Sequence, residues 1–307
     1  MKKLRIALLM GGWSAERAVS LASGREVLRV LKEDPCYEVK VYDPKDGLWQ
    51  LITHQKEIDL VLPILHGPYG EDGTIQGFLE LLQIPYAFSG VLASALAMDK
   101  YRSRQIFQAV GLPVPRYLVL KRGETLKKPA QYPVVVKPNR QGSSIGVSIC
   151  QDFTQFQKAV KKAFWYDETV LVEEYIQGKE ITVAVLGERA LPVIEIVPKK
   201  TFFDFQAKYN GTTEEIVPAR ISLALTKKAQ EYALKAHLAL GCRGLSRTDM
   251  LISQKNNQLY LLELNTIPGL TKESLVPKAA KAAGLDFKAL IIEIIKLAFK
   301  EEDEKKT

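Results

Sequence analysis

The chain has 307 residues, 47% hydrophobic and 25% charged, which is the balance of an ordinary soluble globular protein with room for two or three compact units. No apolar run reaches the roughly 18 residues of a membrane span, and the opening "MKKLRIALLMGGW" reads as a first strand ending in glycines rather than a signal peptide. A net charge of +8 admits a nucleic-acid partner, but the lysines are spread along the chain instead of clustering with aromatics, the pattern of a solvated surface.

Residues 4–10 read as a strand, Gly11-Gly12 as its turn and roughly 15–32 as an amphipathic helix. "YEVKVYD" and "DLVLPIL" supply further strands, and "TIQGFLELLQ" a short helix before "IPYAFSG". Strands alternating with helices predict a doubly wound parallel sheet near the N-terminus. Its binding crevice should lie at the strands' carboxyl ends, where Gly11, Gly12 and His66 fall. "ASALAMDKYRSRQIFQAVG" reads as one helix closed by Gly111, since the prolines of "LPVPRYLVL" forbid its continuation. Residues 115–185 mix strands with a helix near 152–165. A third region from about 186 contains "KKTFFDFQAKYNGTTEEIVPA", unpatterned and too long for a simple connection, hence a lid or binding loop over 199–217. A helix near 226–240, a hairpin and a final helix near 286–300 complete the chain, with "KEEDEKKT" as a frayed end. Cys36, Cys150 and Cys242 are scattered, giving no disulfide or zinc framework, which points to a reducing cytoplasm.

Two segments carry chemistry. "VVVKPNRQGSSIGVSI", residues 134–149, sets a lysine and a turn of glycines and serines between two strands. In the common phosphate loop the lysine follows the glycines and a helix comes next. Here Lys137 precedes the glycines and a strand follows Gly146, so a hairpin must hold the anion. The second segment pairs "RTDMLIS" with "QLYLLELN" around Lys255-Asn256-Asn257, a turn composition tolerant of left-handed backbone. A three-residue turn puts Asp249 opposite Glu263, and alternation then brings Arg247 and Asn265 to the same face. Asp249, Glu263 and Asn265 offer hard oxygen ligands suited to Mg²⁺ beside phosphate, with Arg247 ready to stabilise developing negative charge. A charged stripe on an edge hairpin would use the same residues. However, "NTIPGLTKESL" follows Asn265 directly, presenting backbone N–H groups and Ser274 to a carboxylate or oxyanion at a helix start.

These residues resemble the ATP-grasp superfamily and, within it, the D-alanine–D-alanine ligases. The likeness runs in order through "GGWSAERAVS", "LHGPYGEDGTIQGFLE", "AMDKYRSR", "VVKPNRQGSSIGV", "VEEYIQGKEITVAVLG", "FFDFQAKY", "GCRGLSRTDM" and "LELNTIPGLTKESLVPKAA". The second, fourth and last of these are the most specific. Leu245 stands where an aromatic is common and Leu264 where a smaller residue often sits; both are packing positions.

The resemblance implies an α/β chain with the ATP-grasp fold in three domains, 1–92, 93–185 and 186–307, the first a doubly wound parallel-sheet domain. ATP would lie between the second and third. Lys137 would reach the phosphates under the flap 140–146, which includes Ser144, and Lys100 would be a second ATP-contacting lysine. Glu173, Glu174, Tyr175 and Ile176 would form the adenine hinge, Glu180 would take the ribose hydroxyls, and Lys208 would also face ATP. Asp249, Glu263 and Asn265 would hold two Mg²⁺, with Mn²⁺ possible. Arg247 and the Gly269 N–H would form the oxyanion hole. Glu16 would bind the first substrate's ammonium group, braced by Ser143 and Tyr209, with His66 nearby, while Ser274 and Leu275 would hold the second substrate's carboxylate. The implied partners are two D-alanine molecules and ATP, with neither nucleic acid nor membrane, in a cytoplasmic homodimer. A D-alanine–D-lactate ligase or another carboxylate–amine ligase is the alternative, ahead of a non-catalytic nucleotide-binding module. Singly, each residue has a plainer reading: Lys137 as a surface lysine, Glu173 and Glu174 as strand charges, Glu16 as a helix-start acid, His66 as an oriented core histidine. The ordered set carries the assignment.

Overall fold

Strand β1 (Leu4–Met10) is apolar apart from Arg5, and Ala7, Leu8 and Leu9 are fully buried, as a central parallel strand covered on both faces must be. It pairs in parallel with β2 (Tyr37–Tyr42) and β3 (Leu60–Ile64) in the order β2-β1-β3. Helix α1 (Arg17–Lys32) makes the crossover, α2 (Trp49–Thr53) and α3 (Thr74–Leu81) follow, and Val61 bridges Tyr86 beyond β3. This computed structural model describes residues 3–198 and 213–304. The parallel sheet expected from the alternating pattern is present, and Gly11, Gly12 and His66 lie just past the carboxyl ends of β1 and β3.

The single helix expected over 93–111 is two. Asp99 is extended (ψ 94°) and its side chain accepts from the Arg102 N–H, so it ends α4 (Val91–Met98) and caps α5 (Lys100–Ala109). An aspartate that satisfies the first free amides favours a new helix start over continuation. The break puts Lys100 at the first position of α5 and Arg104 one turn later.

Strands β4 (Tyr117–Lys121), β5 (Val134–Pro138), β6 (Ser148–Cys150) and β7 (Thr169–Glu174) form an antiparallel sheet ordered β4-β7-β5-β6. Helix α6 (Phe153–Ala163), capped by Asp152, covers it with Phe156, Ala159, Val160 and Ala163. These side chains join Val134, Val136, Val170 and Val172 in a core confined to this unit.

The remaining sheet contains β8 (Gly178–Leu186), β9 (Arg189–Ala190), β10 (Ile194–Pro198), β11 (Thr213–Ile216), β12 (Leu245–Ser253) and β13 (Leu259–Asn265). Its order is β11-β10-β8-β12-β13, with β9 beside β8. β8 pairs along its whole length with β12, so this sheet begins at Gly178 and not at the expected boundary of 186. α4 and α5 also pack on it, through Ala93, Ala97 and Phe107 against Ile181 and Val183, although they precede the four-stranded sheet in sequence. The end of the unpatterned stretch, 213–216, is an edge strand on β10. Helices α7 (Leu223–Ala239), α8 (Leu275–Ala282) and α9 (Phe287–Glu304) complete the fold. A shared apolar core joins the first sheet to this one: Ile6, Leu8, Val27 and Leu62 pack with Leu186, Leu245, Val276, Leu290 and Ile294.

In the β12–β13 hairpin, Ser253 donates to the Gln258 carbonyl, so the turn has four residues rather than three. Continued unchanged, that register would place Asp249 opposite Leu262. A bulge between Asp249 and Met250 leaves Leu262 as the extra residue and restores Asp249 to Glu263 and Arg247 to Asn265.

Candidate active site

Four clusters of polar side chains carry the candidate residues, and Lys100 and Ser143 tie the Glu16, glycine-rich-turn and hairpin-face groups together. The first surrounds Glu16, at the start of α1 and only 9% exposed. Its Oε1 accepts a hydrogen bond from the Ser143 hydroxyl of the glycine-rich turn. Gly67 and Gly142 crowd the same carboxylate: a Cβ at either would stand 2.8 and 2.9 Å from Glu16 Oε2. Ser14 fixes the approach, accepting from the Glu16 N–H at 3.1 Å and donating to the His66 carbonyl at 2.5 Å. His66 is buried with Nδ1 3.9 Å from Glu71 Oε1, and Glu71 accepts from the Gly67 N–H at 2.8 Å. Burial, then the charge of Glu71, holds the Glu16 carboxyl above its ordinary value, against the pull of Ser143, His66 and Lys100.

The glycine-rich turn itself is a hairpin connection between β5 and β6, with Val136 opposite Ser148. Ser143 and Ser144 are both left-handed, at φ 50° and 59°. Lys100 reaches this turn from α5, donating to the Gln141 carbonyl at 2.7 Å.

A second cluster is buried between α5, β5 and β7. Lys137 Nζ and Arg104 Nη1 each lie 2.9 Å from Glu173 Oε1. Burial pushes Lys137 below its ordinary value, against the attraction of Glu173. Burial alone would raise Glu173, but Arg104 and Lys137 outweigh it and hold the carboxylate below its usual range. Glu173 therefore sits inside the site as an anchor for Lys137. Glu174 points away, where Arg116 binds it through the backbone N–H at 2.8 Å and Nε at 2.9 Å. Tyr175 is exposed, Ile176 half-buried, and the Tyr175 N–H meets the Pro133 carbonyl at 3.3 Å. Glu180 is half-buried on β8, opposite Ile196.

The third cluster is the hairpin face. Arg247 grips Asp249 with two parallel bonds of 2.9 and 2.7 Å, Thr182 donates to Asp249 Oδ1 at 2.6 Å, and the Asn265 amide is 3.5 Å from Oδ2. Lys100 Nζ is 3.2 Å from Glu263 Oε2, linking this face to the glycine-rich turn. Among the described residues no three His, Cys, Asp or Glu side chains gather as a metal site. The donor set is instead two carboxylates and an amide, which suits a hard, oxygen-seeking cation, and the paired cations Arg247 and Lys100 mark where positive charge is favoured.

The fourth lies beyond β13. Ser274 precedes α8, and its hydroxyl accepts from the Thr271 N–H at 3.1 Å and meets Thr271 Oγ1 at 2.8 Å. Gly269 faces it: a Cβ there would be 3.0 Å from Ser274 Oγ. Leu275 packs partly into the shared core.

Residues 106–296 match the family model described as D-ala D-ala ligase C-terminus, and residues 48–89 match D-ala D-ala ligase N-terminus. The chain belongs to the D-alanine–D-alanine ligase family. A D-alanine–D-alanine ligase of Syntrophobacter fumaroxidans is 50% identical, the alignment covering 98% of this chain and 99% of that protein. One of Trichlorobacter lovleyi is 48% identical over 96% of this chain and 95% of the other. The crystal structure of the D-alanine–D-alanine ligase of Bacillus anthracis superposes with a TM-score of 0.89 at 37% identity, covering 98% and 99% of the two chains. The fold is that of ATP-grasp ligases, and a second structure of the Bacillus protein, complexed with ATP, superposes with a TM-score of 0.86 at 34% identity over 98% and 99%.

Of the side chains assigned by resemblance to the ligase family, Lys208 and Tyr209 lie outside the described residues. The structure brings together Glu16 with Ser143, Lys137 with Glu173, and Lys100 with Glu263, and gathers Arg247 and Asn265 on Asp249. Three contributors escape the sequence reading: Arg104, Thr182 and Glu71. Arg104 had a signal, since it stands four residues after Lys100 within "AMDKYRSR" and so shares its helix face. Thr182 and Glu71 had none, being brought in by strand pairing and by a turn.

Proposed function

We propose that this chain joins two D-alanine molecules at the expense of ATP, for peptidoglycan precursor synthesis, and that the clusters above divide the work. What carries the reading is Lys100, which touches both the glycine-rich turn and the Glu263 carboxylate of the hairpin face, placing phosphate grip and metal face within one side chain's reach.

A carboxylate is a poor acyl donor, because oxide would have to leave. Attack of the first D-alanine's carboxylate oxygen on the γ-phosphorus breaks the bond to ADP and forms an acyl phosphate. The second D-alanine's amine then attacks the carbonyl carbon, phosphate leaves with the former acyl C–O electron pair, and the amine gives up a proton. Glu16 holds the first ammonium group, with Ser143 and His66 beside it. Lys100 and Lys137 bind phosphate oxygens under the flap containing Ser144, and the segment Glu173–Ile176 receives the adenine, with Glu180 toward the ribose. Asp249, Glu263 and Asn265 would hold two Mg²⁺, whose charge would offset that of the phosphate oxygens. Arg247 and the Gly269 N–H face the developing oxyanion, while Ser274 and Leu275 bracket the second carboxylate.

Three units belong to the same proposal, 1–92, 93–185 and 186–307, and the pairing of β8 with β12 favours drawing the last boundary before Gly178. A cytoplasmic site fits three unpaired cysteines, and no described helix is long and apolar enough to cross a membrane. Assembly as a homodimer belongs to the same proposal and is tested by light scattering.

The deciding experiment is ADP release with single D- and L-amino acids. D-Alanine should support turnover with stoichiometric dipeptide, and with equal D-lactate present the dipeptide should dominate by mass spectrometry. Release that needs another amino acid, or a predominance of D-alanyl-D-lactate, would displace the proposal.

A further inference from the structure

Arg104 has no part in the reaction as described, yet it is 0% exposed. Removing a guanidinium wholly from water is costly unless its geometry is used. Its Nη1 is 2.9 Å from Glu173 Oε1, the oxygen that Lys137 Nζ also approaches at 2.9 Å. Its Nη2 donates to the Leu262 carbonyl at 3.2 Å. Its guanidinium lies 5.5 Å over the Tyr117 ring, and Tyr117 pairs with Glu173 across β4 and β7.

Leu262 is the extra residue of the bulge that brings Glu263 opposite Asp249. One planar fork therefore grips a carboxylate on the four-stranded sheet and a backbone carbonyl on the six-stranded sheet. The first is the anchor of Lys137; the second is one residue from Glu263. A lysine in this place could offer one point of charge, not a planar group that pairs with the carboxylate and at once donates to the carbonyl.

We infer that Arg104 is a positioning residue for the nucleotide: it holds Glu173, and through it Lys137, at a set spacing from the metal-face carboxylate Glu263. The inference rests on the reading that ATP binds between the two sheets. A merely structural arginine would lower stability and weaken every substrate alike. A positioning one acts on ATP and spares the Glu16 site, which it does not touch.

The test compares wild type, Arg104→Met and Arg104→Lys. Calorimetric binding of a non-hydrolysable ATP analogue with Mg²⁺ is measured first, then the KM values for ATP and D-alanine and the melting temperature. Arg104→Met should weaken the analogue and raise the KM for ATP by roughly tenfold, leaving the KM for D-alanine within about twofold. Arg104→Lys, which restores charge to Glu173 but cannot span both partners, should recover part of that loss. Wild-type affinity in either variant overturns the inference, as does an equal rise in both KM values. If Arg104→Met fails to fold, Arg104→Lys decides alone, and its binding the analogue like wild type refutes the bridging role. Wild type failing to bind the analogue would overturn the functional reading itself, and the inference with it.

Discussion

Replacing Ser143 with alanine removes the hydroxyl that the glycine-rich turn donates to Glu16. Glu16 is only 9% exposed, so water has little room to take over the bond. A hydrogen bond to a charged group contributes about 1.5–3 kcal/mol. The lower end of that range is about tenfold in kcat/KM for D-alanine. The backbone must be separated from the hydroxyl, because Ser143 is left-handed at φ 50°. That conformation costs a residue with a Cβ roughly 1–2 kcal/mol. Ser143→Gly relieves this cost but also lacks the hydroxyl, so both variants should lose about tenfold if the bond is what matters. Glycine near wild type would assign the effect to the backbone. The pH profile gives a second reading. Burial and then Glu71 hold Glu16 above its ordinary value, while Ser143 pulls it down. Only ionised Glu16 binds an ammonium group well, so activity falls as pH drops through that raised value. Losing the hydroxyl should therefore move the acidic limb to higher pH. ADP release is followed against D-alanine at saturating ATP across that limb. An alanine variant within about twofold of wild type, or an acidic limb that stays in place, refutes the reasoning.

Glu16→Gln should raise the melting temperature at neutral pH while raising the KM for D-alanine. The folded-state pKa of Glu16 lies above its unfolded value, so its contribution to stability is complete below the unfolded value and lost as pH rises through the folded one. A lower melting temperature at neutral pH would reverse that sign. Glu263→Gln takes the negative charge from beside Lys100 and should raise the Mg²⁺ needed for half-maximal ADP release by at least roughly 10–100-fold; an unchanged Mg²⁺ titration would remove Glu263 from the metal face. Arg247→Ala should lower kcat by roughly 10²–10³, with affinity for the ATP analogue nearly intact by calorimetry. A comparable loss of nucleotide binding would move Arg247 to the ground-state complex.

The hairpin face was legible because alternation is a local rule: once Asp249 faces Glu263, Arg247 and Asn265 must share their side. The turn beneath it was read one residue short, and the bulge at Leu262 made up the difference, so the face emerged correct from a register that was not. Bulges depend on contacts outside the strand pair, here Arg104 on the Leu262 carbonyl, and nothing nearby in sequence announces them. The long helix over 93–111 misled because "ASALAM" and "RSRQIFQA" are both helical in composition and Asp99 looks like one polar interruption. β11 was hidden because Thr213-Glu214-Glu215-Ile216 has the polarity of a loop and becomes a strand only through β10. β8 is hard to place from sequence for the same reason, since its partner β12 lies some sixty residues later. Glu173 reads as an ordinary strand charge until Arg104 and Lys137 arrive from separate elements.

The four-stranded unit has an apolar core of its own and reaches its neighbour through Tyr117, which packs against the core under α4 and α5, whereas the first sheet and the last two helices share one core. The bonds that cross from it to α5 and to Glu16 are polar: Lys100 to the Gln141 carbonyl, the Tyr101 N–H to Asn139, Arg140 to Asp99, and Ser143 to Glu16. Water can replace such partners with little net loss, while an oily seam resists parting. The seam is thus polar at the glycine-rich turn and dry around Arg104, Glu173 and Tyr117. On the proposed function, water at the polar end can give way to nucleotide and amino acid, and its exclusion there would protect a water-sensitive acyl phosphate.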